Sequence, residues 1–69
     1  MASFKEGDQV VYIGTDDYQV NWGANTDPRG ILTEGNTYIV EDVRVHSSHT
    51  KLTLQGISGK FNSVSFEKL

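Results

Sequence analysis

The residues best suited to chemistry are few. Two histidines, His46 and His49, flank Ser47-Ser48, and a hairpin there would bring their rings together. Two imidazoles without a third ligand make a weak metal site, because structural zinc takes four ligands and catalytic zinc at least three. No metal or other cofactor is expected. Asp16-Asp17 reads as turn chemistry, since short carboxylate side chains bond their own backbone. Gly56-Ile57-Ser58-Gly59 joins two apolar runs and opens no helix, so it reads as a turn and not as a phosphate-binding loop. No nucleophile motif and no carboxylate pair at catalytic spacing stands out. The expectation is a protein that binds and does not catalyse.

A second group lies between Gly14 and Thr33, a stretch without strand periodicity. Tyr18, Trp22, Asn25 and Arg29 fall within twelve residues of one another there. Irregular loops of that length in small domains are usually functional. Tyrosine, tryptophan and arginine are the side chains that anchor protein interfaces. These four are the candidate protein-binding residues. For Trp22 two roles stay open, a lid on the core or a binding anchor. The same loop holds the one proline, in Asp27-Pro28-Arg29-Gly30, whose order suits a type I turn with Asp27 first and Gly30 fourth.

The elements that position these residues are strands. Short runs rich in valine, isoleucine, threonine, tyrosine and phenylalanine alternate with glycine-marked turns. The runs are Gln9 to Ile13, Thr37 to Val45, Thr50 to Gln55, Lys60 to Asn62 and Phe66 to Leu69. In the second run Val40 and Val43 are three apart, which would put them on opposite faces of a flat strand. A bulge near Glu41-Asp42 would bring both inward. The expected core is Val10, Tyr12, Tyr38, Val40, Val43, Leu52, Leu54, Phe61, Val64 and Phe66, with Ile31 or Leu32 closing one end. Phe61 has an alternative, facing outward beside Trp22.

Sixty-nine residues suit one domain, spanning 1–69. Nine acidic against six basic residues leave a net charge of −3, with no basic run along the sequence. That balance weighs against nucleic acid, whose affinity rests on cations displacing phosphate counterions. There is no cysteine to form a disulfide, and no apolar stretch of signal-peptide or transmembrane length. A cytoplasmic protein is expected, not bound to membrane, as a monomer or a weak dimer through an exposed strand edge.

The order of strand, long loop, Leu32-Thr33-Glu34-Gly35-Asn36, long bent strand, alternating strand and terminal Gly59-Lys60-Phe61-Asn62-Ser63-Val64-Ser65-Phe66-Glu67-Lys68-Leu69 resembles an SH3 domain. The opening Phe4-Lys5-Glu6-Gly7-Asp8-Gln9-Val10-Val11-Tyr12-Ile13-Gly14 looks like the first strand of bacterial SH3-like and KOW-type small barrels, a layout common among small phage and prophage proteins. The resemblance implies an all-β SH3-like barrel of about five strands, with an RT-like long loop and a 3₁₀ turn near the C-terminus. It does not imply polyproline binding, because the family's proline and tyrosine positions at that turn hold Asn62 and Ser65. It implies a protein-binding module, of the kind a phage uses as an accessory factor against a host protein. The alternative it leaves is a nucleic-acid-associated KOW-like barrel.

Overall fold

The computed structural model describes residues 4–16, 18, 26–46 and 49–69. Five antiparallel strands, β1 (Gln9–Tyr12), β2 (Thr37–Val45), β3 (Thr50–Leu54), β4 (Ile57–Asn62) and β5 (Phe66–Lys68), form one sheet. A single 3₁₀ turn, Ser63–Ser65, separates β4 from β5. The spatial order is β4-β3-β2-β1-β5, so the two strands flanking that turn lie on opposite edges of the sheet.

This order forces the shape. Neighbouring strands sit roughly 4.8 Å apart, so five in a flat sheet would set the edges about 19 Å apart. Three residues of 3₁₀-helix advance only about 6 Å. The sheet must therefore curl until its edges approach, and β2 supplies the bend. Val40 pairs with Leu54 and Asp42 with Thr53, which leaves Glu41 as an extra residue in the ladder. The bulge lies where the phase of Val40 and Val43 requires it. Val40 is fully buried, and Val43 packs half-buried against the core. Residues Thr37 to Ile39 of β2 pair with β1, and Val40 to Val45 pair with β3.

The curl does not close into a barrel, which corrects the expected architecture. β4 and β5 meet through side chains, with Phe61 and Phe66 edge to face at 6.4 Å. The physical reason is the connection. Asn62 and Phe66 are both extended on either side of the 3₁₀ turn, which redirects the chain across the core instead of reversing it into a hairpin. Part of the β4 edge is occupied by the long loop. The Thr26 N–H donates to the Lys60 carbonyl at 2.8 Å, and the Lys60 N–H returns a bond to the Thr26 hydroxyl at 3.1 Å.

The core comprises Val10, Tyr12, Leu32, Val40, Leu52, Leu54, Phe61 and Phe66, with Phe4, Tyr38, Val43 and Ile57 packed against it. Phe61 faces inward, and Leu32, not Ile31, closes the end. Val64 is the one expected core residue that the structure turns outward, at 53% exposed. A 3₁₀ turn repeats every three residues, so Asn62 and Ser65 share its inner side and Val64 is left outside. The fourth strand also starts earlier than its apolar pattern suggests. Ile57 already pairs with Leu54 across a tight turn at Gln55-Gly56, and Ser58-Gly59 is a break in the β3–β4 register, not the turn. No described helix is long and apolar enough to cross a membrane.

Two substitutions test this packing. Leu54→Ala removes a fully buried side chain and should cost about 2–5 kcal/mol, read as a drop in melting temperature. At Gly59, φ is 120° and an added Cβ would stand 2.9 Å from the Thr26 methyl. Gly59→Ala should therefore cost about 1–3 kcal/mol and release the Thr26–Lys60 pairing, visible as faster exchange of the Thr26 and Lys60 amides.

Candidate protein-binding face

The candidate face is built where the long loop leaves β1 and passes the 3₁₀ turn. In β1, Val10 and Tyr12 point into the core, so the period of two turns Ile13 outward. The Ile13 N–H donates to the Ser65 carbonyl at 2.8 Å, which sets Ile13 beside the 3₁₀ turn. That turn is held by Asn62, whose side-chain oxygen accepts from the Val64 N–H at 3.2 Å, and by the Phe66 N–H, which donates to the Ser63 carbonyl. Asn62 and Ser65 are buried at 6% and 1%, so the two positions that resemble the polyproline-groove residues of SH3 domains are turned inward. Ile13 and Val64 are what reach the surface instead, at 42% and 53% exposed.

Of the four candidate residues, Tyr18 projects into solvent at 73% exposed, while Trp22 and Asn25 lie outside the described residues. The same holds for Asp17, so only Asp16 of the acidic pair can be placed, and it is exposed. Arg29 sits on the return of the loop, folded against its own turn. Asp27 Oδ1 accepts from the Arg29 backbone N–H at 2.9 Å and from Nε at 2.9 Å, while Oδ2 accepts from the terminal guanidinium nitrogen at 2.8 Å. This fork corrects the expected turn. Pro28, not Asp27, is its first residue, since the Pro28 carbonyl accepts from the Ile31 and Leu32 N–H groups, and Asp27 acts through its side chain. The turn buries Pro28 and Leu32 and leaves Ile31 exposed.

Beneath the turn lies a polar seam. Burial raises the pKa of the Tyr12 hydroxyl, and the charges of Asp27 and Glu34 add to the rise. Tyr38 accepts the Thr33 N–H at 2.9 Å through its hydroxyl oxygen, tying the end of the loop to β2. Elsewhere, His46 and His49 do come together, their rings stacked 4.7 Å apart, but among the described residues no third potential ligand joins them into a metal-binding group.

Sequence reasoning missed Ile13 and Val64. Ile13 was legible from the alternation of β1, whereas Val64 needed the threefold period of the 3₁₀ turn and not mere apolarity.

The Asp27–Arg29 fork makes a titration prediction. The Arg29 guanidinium and backbone N–H bond the ionised carboxylate and hold its pKa below the ordinary 3.8. A carboxyl lowered in the folded state stabilises the fold above its unfolded pKa and gives that stability up as the pH falls through its folded value. An NMR titration should therefore place the Asp27 midpoint below 3.8, and Arg29→Ala should move it upward.

One family comparison bears on the chain. Residues 23–69 match the family model described as bacteriophage T4 protein Y07B. No curated protein and no solved structure matches it. The family match takes in β2 through β5, hence the bulge that curls the sheet, the 3₁₀ turn and the exposed Val64, and stops short of β1. Extending over about two thirds of the sequence, it shows that the chain belongs to the bacteriophage T4 protein Y07B family.

Proposed function

We propose that this phage-family chain is a non-catalytic protein-binding module, a cytoplasmic accessory factor that acts on a host protein through the face formed by the long loop and the 3₁₀ turn. The observation that carries the reading is the pair Ile13 and Val64, both substantially exposed, with the backbone of Ile13 bonded to Ser65, the residue next to Val64. Tyr18 adds an exposed aromatic on the loop leaving Ile13. Exposed apolar groups gathered next to one another cost solvation in a free domain, and such patches mark docking surfaces.

The strand order, the long β1–β2 loop and the 3₁₀ turn before β5 support an SH3-like fold with the groove chemistry replaced. Polyproline docking needs stacked aromatics lining that groove. Here the turn offers an aliphatic side chain, with asparagine and serine inside it. The ligand is therefore a folded or apolar protein surface. Trp22 and Asn25, outside the described residues, and Arg29, half of an ion pair with Asp27, are proposed as further contacts from the same stretch of sequence.

The test is a tagged pull-down from host cells followed by affinity measurements on the partner recovered. Tyr18→Ala, Trp22→Ala and Val64→Ser should each weaken binding by more than about 1 kcal/mol, roughly fivefold, while the melting temperature holds. Glu67→Gln, an exposed change on β5, should alter neither property. Recovery of no partner removes the reading, and so does a partner indifferent to all three variants. Unfolding of Trp22→Ala would make Trp22 a lid and leave Tyr18 and Val64 to decide.

A further inference from the structure

The β2–β3 hairpin gathers positive charge that is dispersed along the sequence. Arg44 and Lys51 are directly paired across the two strands, followed by Val45 with Thr50. One step further the His46 N–H donates to the His49 carbonyl at 2.8 Å, and the two rings stack at 4.7 Å with 19° between their planes. Residues two apart on a strand share a face. Arg44 with His46, and Lys51 with His49, therefore form two successive cross-strand pairs on one side of the hairpin.

Like charges directly opposite one another destabilise a strand pair. Arg44 finds relief in Asp42, whose Oδ2 accepts from Nε at 2.8 Å, while Lys51 has no ion-pair partner among the described residues. Lys60 comes from β4, and its charge acts on Asp42. From Glu41 to Asn62 the cations Arg44, Lys51 and Lys60 outnumber the anions Glu41 and Asp42 by one, while the rest of the chain carries −4. The charge is segregated, with the basic part at the hairpin.

We propose that the face of the hairpin formed by Arg44, His46, His49 and Lys51 binds an acidic segment of the partner protein, more tightly as His49 takes up a proton. The proposal rests on the protein-binding reading above and names a second contact for it. Two observations favour a peptide over nucleic acid. Proteins held by a phosphate backbone typically neutralise about six to ten phosphates, and this face offers three lysine and arginine side chains, one already shared with Asp42. Val45, which the same period of two turns to the other side of the hairpin from Arg44 and His46, is 79% exposed and gives a peptide wrapping that end of the strand an apolar contact that a phosphodiester backbone does not need.

The proton linkage follows from the same geometry. Desolvation, the neighbouring His46 and Lys51 all hold the His49 pKa below 6.5 in the free protein. A carboxylate docked between the rings and Lys51 reverses the sign of the local field and favours the imidazolium. Binding then takes up protons, and affinity rises as the pH falls.

The experiment titrates the isotope-labelled full chain at low ionic strength with two probes, at about pH 6 and about pH 7.5. One probe is a glutamate-rich peptide of roughly eight residues carrying one leucine, and the other is a single-stranded DNA of roughly twelve nucleotides. Saturable amide shifts for the peptide at Arg44, Val45, His46, His49 and Lys51 are expected, with about threefold or greater tightening at the lower pH. The Arg44→Glu/Lys51→Glu double variant should abolish them. If that variant unfolds, Lys51→Gln reads the same contact and should weaken it about twofold. Tighter DNA binding, shifts confined to Ile13 and Val64, pH-independent affinity, or no binding would overturn the proposal. A peptide that fails while the partner still responds to Tyr18→Ala and Val64→Ser removes the hairpin contact alone and leaves the loop face standing.

Discussion

A three-residue connection between opposite edges of one sheet governs this structure. Because Ser63–Ser65 must carry the chain from β4 to β5, a flat arrangement is excluded, and the sheet has to wrap around its own apolar face. The wrap creates the core. Leu52, Leu54 and Phe61 from β3 and β4 face Val10, Tyr12 and Phe66 from β1 and β5, and Val40 sits at the bend between them. The aromatic pairs Tyr12–Phe66 at 5.7 Å and Phe61–Phe66 at 6.4 Å place Phe66 at the junction of the two halves.

The same constraint decides what reaches the surface. A turn with a period of three commits Asn62 and Ser65 inward as capping and filling groups and offers Val64 outward. The Ile13–Ser65 bond then fixes the start of the long loop against that turn. At the other end of the loop, Pro28 and Leu32 plug the core while Thr26 pairs with Lys60 on the β4 edge. That contact depends on Gly59, since a side chain there would collide with Thr26. Both described ends of the loop are thus anchored by backbone bonds.

Much of this was legible in the sequence because it rests on local periodicity. The alternation of Leu52 and Leu54 located β3, and the three-residue step from Val40 to Val43 located the bulge at Glu41. The 3₁₀ turn and β5 were legible from the order of glycine, aromatic and apolar residues that resembles the SH3 terminus. The misses are non-local. Ile57 joins β4 because the two-residue turn at Gln55-Gly56 lets it pair with Leu54, which a glycine-flanked isoleucine does not announce. Open edges in place of a barrel follow from strand spacing across the whole sheet. The pairing of Arg44 with Lys51 depends on hairpin register, so a list of scattered cations could not show it, whereas the approach of the His46 and His49 rings was legible from their place on either side of Ser47-Ser48.

The most direct test of the central claim is to map the partner's footprint on the labelled chain by cross-saturation, which reads proximity in the intact complex without any substitution. A binding face at the long loop and the 3₁₀ turn predicts the strongest transfer at Ile13, Tyr18 and Val64, with the buried Leu52 and Leu54 amides unaffected. Transfer concentrated instead on β5 and Leu69, with Ile13 and Val64 silent, would contradict it.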